Sequence, residues 1–447
     1  MTTFDQILPA AHEVLTRHGE LVAGVDWLVI NRDLNGRVRF IVPEAIETNE
    51  EQREQLVAVY RTFAEHIVPH AYPAESGLLY EANLEQVCQD AARYPLEGFD
   101  KIWVVDRLAT EGNWTQIAPE ATGAPRIVFF SIKGGVGRST ALAACAWKLA
   151  QLGKRVLVLD LDLESPGLSS SLLPPERQPA YGITDWLVED LVDNADSVFD
   201  DMIATSTLSH DGEIYVIPAH GADPGEYIAK LGRVWMPKVQ DDGARESWSC
   251  RLQRLLRKLE EHLQPDIVLI DSRAGIDEVA SSCVTDLGAN LVLLFALAGA
   301  QTWNGYRMLF DHWRRARVAE HIRERLQIVA ALMPELEPAT YLADLREHAY
   351  DLFIETVYDE IPPPVEGGKD RQGIEGWSFD LADELAPHMP WIVEWHRGFA
   401  ALRTLHGRLA LVDDDEIRHV FGDLIGRILR FLDWGNGYPR VRDGGAF

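Results

Sequence analysis

The sequence predicts an α/β protein: a domain built on a mostly parallel sheet covered by helices on both faces, with an α+β domain before it and helices after it. Three observations predict this. From Pro125 onward, near-continuous Val/Ile/Leu runs alternate with helical segments, the pattern of parallel strands buried on both faces. One run, "RIVFFSI", enters the glycine-rich turn "KGGVGR", which opens directly onto a helix and has the layout of a phosphate-binding loop (P-loop). Before Pro125 the alternation is missing, and short β-rich runs meet at Asn35-Gly36, a hairpin signal.

Taken in order, a helix is expected over about 4–19, followed by the two strands of "DWLVINRDLNGRVRFIVP". A second helix is expected over 49–68, then a strand in "FDKIWVVDR". "HIVPH" sets two histidines four apart, but Pro69 breaks the helix that would align them, so no metal is expected there. "APEATGAP" (118–125) reads as a linker. The strands of the main domain are "RIVFFSI", "RVLVLDLDL", "EIYVIPA", "DIVLIDS", "NLVLLFALA" and "QIVAALM". Helices are expected at 139–152, 245–263, 302–317 and 338–355. "DEIPPPVEGGKDRQGIEG" is too rich in Pro and Gly for regular structure, and two or three helices follow, the last near 414–433. The chain of 447 residues is too long for one core. The expected division is 1–122, 123–365 and 366–447, with the last part packed on the middle one.

The net charge of −28 repels a phosphate backbone, so general nucleic-acid binding is not expected. The arginines of 251–257 and of "HWRRAR" are read as solvated helix faces. Cys88, Cys145, Cys250 and Cys283 lie far apart, without metal spacing or a disulfide framework, which suits a reducing compartment. "MTTFDQILPAAHEVLTRHGE" lacks the features of a signal peptide, and no stretch approaches the roughly 20 apolar residues of a membrane span. A cytoplasmic protein is expected. In the last helix, Ile417, Val420, Phe421, Leu424, Ile425, Ile428, Leu429 and Leu432 form one stripe. The opposite face mixes Asp with Arg, which suits core or partner packing better than anionic lipid.

The chemistry is carried by three motifs. In the first, Gly134, Gly135 and Gly137 leave backbone N–H groups free to hold phosphate at a helix N-terminus, and Ser139 or Thr140 offers Mg²⁺ a hydroxyl. In the second, "VLVLDLDLESPGL", a buried strand ends in Asp160 and Asp162, two residues apart and so on one side of an extended chain. In the third, "PDIVLIDSRAGID", a strand ends in Asp271, placed for Mg²⁺ coordination. Carboxylates at the C-terminal edge of parallel strands sit where such sheets bind ligands.

Together these motifs resemble those of the ParA/MinD family of deviant Walker-A ATPases. "KGGVGRST" is similar to that family's KGGxGK(S/T)T, "DLDLESPG" to its second acidic motif, and "DSRAGI" to the MinD-like DSPAGI. The similarity runs over roughly 125–365 and is strongest to a bacterial subgroup with the KGGVGR variant motif. Ile132 stands where the generic Walker pattern has its first glycine. The resemblance implies ATP and Mg²⁺ as cofactors. It makes Lys133 the signature lysine that reaches a partner's phosphates in a nucleotide-sandwich homodimer. It implies that Gly134, Gly135, Val136, Gly137, Arg138, Ser139 and Thr140 bind nucleotide. Ser139 would bind the metal, Asp162 or Asp160 beside it would orient the attacking water, and Asp271, with Asp160, would hold the metal shell. The "IPPP" loop (361–364) would border the base.

Arg138 replaces the usual P-loop lysine. A guanidinium binds phosphate but cannot take an ammonium's position. A loss of about 3 kcal/mol in transition-state stabilisation slows turnover on the order of a hundredfold. The expected function is therefore a slow ATP-hydrolysing switch whose nucleotide-bound dimer recruits or licenses a protein partner; a bacterial conflict or defence setting is what the resemblance to that subgroup implies. The alternatives are a non-hydrolysing nucleotide-binding or scaffold protein, a partition or positioning ATPase on DNA or membrane, and a signalling kinase, the last lacking a tyrosine-rich tail.

Overall fold

The computed structural model describes residues 2–89, 91–108, 112–240, 243–360, 376–399 and 405–434. The "IPPP" loop expected to border the base lies outside the described residues. The chain divides into two compact units, Met1–Gln116 with His312–Val318, and Ile117–Asp311 with Ala319–Phe447.

The first unit carries a five-stranded mixed sheet of β1 (Leu28–Arg32), β2 (Val38–Pro43), β3 (Leu78–Glu81), β4 (Ala92–Pro95) and β5 (Ile102–Asp106), in the order β3-β2-β1-β5-β4. β1 and β2 form the expected hairpin. Its connection is longer than a two-residue turn: Asp33 Oδ1 accepts from the N–H groups of Asn35 and Arg37, and Gly36 takes φ +73°. Only glycine adopts that conformation without strain. Helices of eight residues or more are numbered in chain order. α1 (Ile7–Arg17) and α2 (Glu50–His66) bury Ile7, Ala11, Val14, Leu56, Tyr60 and Phe63 against one face of the sheet. Val29, Ile41 and Val105 pack on the other face with Val87 and Cys88. Asn49 caps α2 by accepting from Gln52 N–H.

The second unit carries an eight-stranded sheet of β6 (Arg126–Ser131), β7 (Arg155–Asp160), β8 (Ala204–Thr205), β9 (Glu213–Ile217), β12 (Ile267–Ala274), β13 (Leu291–Ala296), β14 (Leu326–Met333) and β15 (Trp391–Glu394). A small hairpin, β10 (Lys238–Val239) with β11 (Arg245–Glu246), lies outside it. The order is β15-β14-β13-β6-β12-β7-β9-β8, parallel throughout except for the edge strand β8. β6 is central, the chain then skips a place to β7, and β12 returns to fill the gap. The C-terminal ends of β6, β12 and β7 therefore meet where the winding reverses, the crevice in which such sheets bind ligands.

The helices of this unit are α3 (Arg138–Gln151), α4 (Ile183–Asp190), α5 (Tyr227–Val234), α6 (Trp248–Leu263), α7 (Ala300–Arg315, of which residues from His312 on are assigned to the first unit), α8 (Pro338–Thr356) and α9 (Asp414–Trp434). α3 is buried nearly all round. Ala141, Ala143, Ala144, Ala146 and Ala150 let it approach the sheet closely, and α9 covers it. The stripe of α9, Ile417, Val420, Phe421, Leu424, Ile425 and Ile428, is spent in this core. Each such side chain contributes about 1.5–3 kcal/mol by leaving water. No described helix is long and apolar enough to cross a membrane.

Three details differ from the sequence reading. β15 appears where only helices were expected, since four residues are too few to show a period. Residues 118–125 do not hang free: Ala118 and Ala121 donate backbone hydrogen bonds to Thr285 and Gly288 of the same unit. Arg251, read as solvated, is fully buried. Its Nε donates to Asp190 Oδ2 (2.8 Å) and its Nη1 to Met236 O (2.7 Å). A buried guanidinium needs such partners, because it cannot shed its charge.

Candidate functional site

The glycine turn leaves β6 at Ser131 and closes at Gly137, the residue before α3. Gly135 and Gly137 take φ of +75° and +78°, so the chain reverses only with glycine at those places. A Cβ on Gly137 would also meet Leu332 Cδ2 at 3.1 Å. No side chain caps α3, which leaves its first N–H groups free for an anion. Val136 is buried in the core and anchors the turn, whereas Lys133, Gly134 and Gly135 are exposed. The Lys133 ammonium has no polar partner among the described residues, and the Thr140 hydroxyl has none either.

Behind the turn stands a compact charge cluster. Arg138, buried, donates from Nε to Asp271 Oδ1 (2.7 Å), from Nη1 to Ser131 Oγ (3.1 Å) and from Nη2 to Asp162 Oδ2 (3.3 Å). Ser139 Oγ donates to the other Asp271 oxygen, Oδ2, at 2.6 Å. Both oxygens of Asp271 are thus taken by adjacent residues of the first turn of α3. Burial alone would lower the pKa of Arg138, but the charge and hydrogen bond of Asp271, with Asp162, outweigh it and raise it. The guanidinium stays charged.

Asp160 ends β7 in register with Asp271 on β12 and is fully buried. Its Oδ2 accepts from Ser169 N–H (3.2 Å), and its Oδ1 has no partner. Burial first, then the neighbouring Asp271, pushes its pKa up to about 7. Asp162 lies past the end of the strand, so simple alternation does not place it; the turn closed by Ser165 N–H on Asp162 O does. Burial raises its pKa against the pull of Arg138, and its Oδ1 is likewise buried without a partner. The structure therefore brings together Arg138, Ser139, Asp160, Asp162 and Asp271, and sets Lys133 apart at the rim.

Two buried carboxylate oxygens without partners call for a cation or water. Together with Ser139 Oγ and Asp271 they are hard oxygen donors of the kind Mg²⁺ takes. No three His, Cys, Asp or Glu converge as a self-sufficient cage among the described residues. Mg²⁺ in a phosphate site needs none, because one or two protein ligands and the phosphates hold it. The residue set fits the ion.

Several participants escaped the sequence reading. Ser131, whose Oγ accepts from Arg138, and Ser169, whose N–H donates to Asp160, carry no signal beyond being small and polar. Leu332 adopts φ +52° where the β14–β15 pairing shifts register, and it lies against Gly137. Tyr227 of α5 donates to Leu163 O (2.5 Å) and ties that helix to the loop after β7. Arg273 pairs with Glu164 and Asp277.

Residues 127–352, just over half of the chain, match the family described as CobQ/CobB/MinD/ParA nucleotide binding domain. A stretch of 68 residues is 46% identical to a protein of Aquifex aeolicus (strain VF5) named as arsenical pump-driving ATPase 1, and spans 15% of this chain and 17% of that one. Among solved structures, a pNOB8 ParA bound to nonspecific DNA is 17% identical with a TM-score of 0.41, over 69% of this chain and 99% of that one. The septum site-determining protein MinD of Pyrococcus horikoshii, complexed with Mg-ADP, is 21% identical with a TM-score of 0.32, over 46% and 68%. A ParA family ATPase of Chlorobium tepidum is 16% identical with a TM-score of 0.36, over 51% and 81%.

Proposed function

The chain belongs to the CobQ/CobB/MinD/ParA nucleotide-binding family, and on that premise we propose that it is a slow ATP-hydrolysing switch whose ATP–Mg²⁺ form dimerises and recruits a protein partner. The observation that carries this reading is the double engagement of Arg138 with Asp271 and Asp162. Without nucleotide, the guanidinium supplies the positive charge these two carboxylates require. Phosphates entering the glycine turn compete for it, and the carboxylates it releases become available to a cation. Nucleotide and Mg²⁺ binding are thereby linked through one side chain.

Ser139 and Asp271 would hold the ion, which neutralises phosphate charge when bound. Gly134, Gly135, Gly137 and the first N–H groups of α3 would cradle the phosphates, with Arg138 beside them. Asp162, partly open to solvent, is suited to orient a water, whereas Asp160 is sealed and burial pushes its pKa up. The exposed Lys133, unneeded within its own subunit, is free to reach a second copy. Slow turnover follows from Arg138: each time it serves phosphate it leaves Asp271, and a planar fork cannot reproduce the point charge of lysine.

The test is titration of a fluorescent ATP analogue and ADP with and without Mg²⁺, together with phosphate-release kinetics for the native chain and Arg138→Lys. The expected result is Mg²⁺-dependent binding, with turnover about a hundredfold faster in Arg138→Lys. Undetectable binding at millimolar nucleotide would favour the scaffold reading. DNA partition is opposed by the net charge of −28.

A further inference from the structure

β12 continues past Asp271 to Ala274, and its pairing with β6 shifts register over those residues. The extra length delivers Arg273 to the surface of the crevice. There its Nη2 lies 2.6 Å from Glu164 Oε2 and its Nη1 3.2 Å from Asp277 Oδ2. Glu164 belongs to the loop after β7, inside the turn closed by Ser165 N–H on Asp162 O. Asp277 caps the short helix after β12 by accepting from Ala280 N–H at 2.9 Å. The base of the same turn is anchored, since Gly275 N–H donates to Ser131 O at the foot of the glycine loop. One guanidinium thus bridges the loop carrying Asp162 and the turn leading out of β12, at the rim outside the buried ion pairs that Arg138 makes with Asp162 and Asp271.

The side chains of Arg273, Glu164 and Asp277 are 31%, 42% and 26% exposed. Ion pairs this open contribute only about 0–1 kcal/mol to folding. Global stability therefore gives little reason for the bridge, whereas local order gives a clear one. Tyr227 and Arg138 hold the inner side of the Asp162 loop, and Arg273 adds the restraint on its outer side; a misplacement of a water-orienting carboxylate by about 1 Å costs up to a hundredfold in rate.

We propose that Arg273 is a positioning residue that clamps the Asp162 loop to the β12 turn and so fixes Asp162 for hydrolysis; the second half of this statement rests on the ATPase reading above. The clamp is a property of the nucleotide-free chain and can be tested independently of activity.

The experiment uses the full chain with Arg273→Ala, Arg273→Lys, Glu164→Gln and the charge swap Arg273→Glu with Glu164→Arg. Amide hydrogen exchange is read without nucleotide, and kcat, KM and ADP affinity are read with Mg²⁺. In Arg273→Ala and Glu164→Gln, exchange over 161–167 is expected to rise about tenfold while the glycine turn is unchanged. kcat is expected to fall about tenfold or more, with KM and ADP affinity within about twofold. Arg273→Lys and the charge swap restore part of both. Unchanged exchange over 161–167 overturns the clamp whatever the turnover. Raised exchange with unchanged kcat overturns the positioning role, and so does a loss of kcat matched by an equal loss of ADP affinity. A native chain that binds ATP without hydrolysing it contradicts the ATPase reading instead, and the exchange data alone then decide the clamp.

Discussion

Replacing Arg138 with alanine removes the cation from a site where Asp271 is 1% exposed and Arg138 itself 7%. Removing one partner of a buried pair leaves an uncompensated charge and costs about 3–5 kcal/mol. Asp271 keeps its hydrogen bond from Ser139, and Asp162 is partly solvated, so the lower end of about 3 kcal/mol applies. In a domain of this size, about 2 °C of melting temperature accompanies each kcal/mol, giving a fall of about 6 °C. The assay is calorimetry or dye-monitored melting of the nucleotide-free chain in EDTA at pH 7.5. The double variant Arg138→Ala with Asp271→Asn removes both charges and should recover most of the loss. A melting temperature for Arg138→Ala within about 1 °C of native refutes the reasoning. So does a double variant no more stable than the single.

Three further outcomes follow from the same geometry. Asp160 binds its proton more tightly folded than unfolded, so its contribution is complete below the unfolded pKa near 3.8 and is lost as pH rises toward about 7. The slope between those values is about 1.4 kcal/mol per pH unit. Melting curves of Asp160→Asn and the native chain, taken from pH 5 to 8 without Mg²⁺, should diverge up to pH 7 and run parallel above; curves parallel throughout contradict the burial argument. Gly137→Ala forces a Cβ into φ +78° against Leu332, and denaturant titration should show a loss of about 1–2 kcal/mol. Gly134→Ala meets nothing within 4 Å, so the same titration should find its stability native within about 0.5 kcal/mol, with any loss confined to nucleotide affinity.

The main sheet was legible because its strands are buried on both faces: "RIVFFS", "RVLVLD" and "IVLID" have no polar alternation and are bounded by helices of clear period. The site motifs were legible for a related reason, since a glycine turn or a strand-terminal aspartate is defined by neighbours in sequence. What stayed hidden depends on through-space partners. Nothing near Arg251 in sequence announces Asp190, and nothing near Arg138 announces that Asp271, 133 positions away, holds it in the nucleotide-free state. β15 shows how little signal four residues carry once a neighbouring strand, and not a period, decides their conformation. His312–Val318 return to the first unit at the end of a helix whose pattern runs on unbroken.

The most direct test of the switch is the light-scattering mass of the native chain and of Lys133→Ala, each without nucleotide, with ADP–Mg²⁺ and with a non-hydrolysable ATP analogue. Lys133 is exposed and bonded to nothing described, so its loss should leave the free chain unaltered. A nucleotide-gated dimer requires that the native mass double only with the ATP analogue and that the Lys133→Ala mass never do so. A native mass indifferent to nucleotide, or doubling that survives Lys133→Ala, contradicts it.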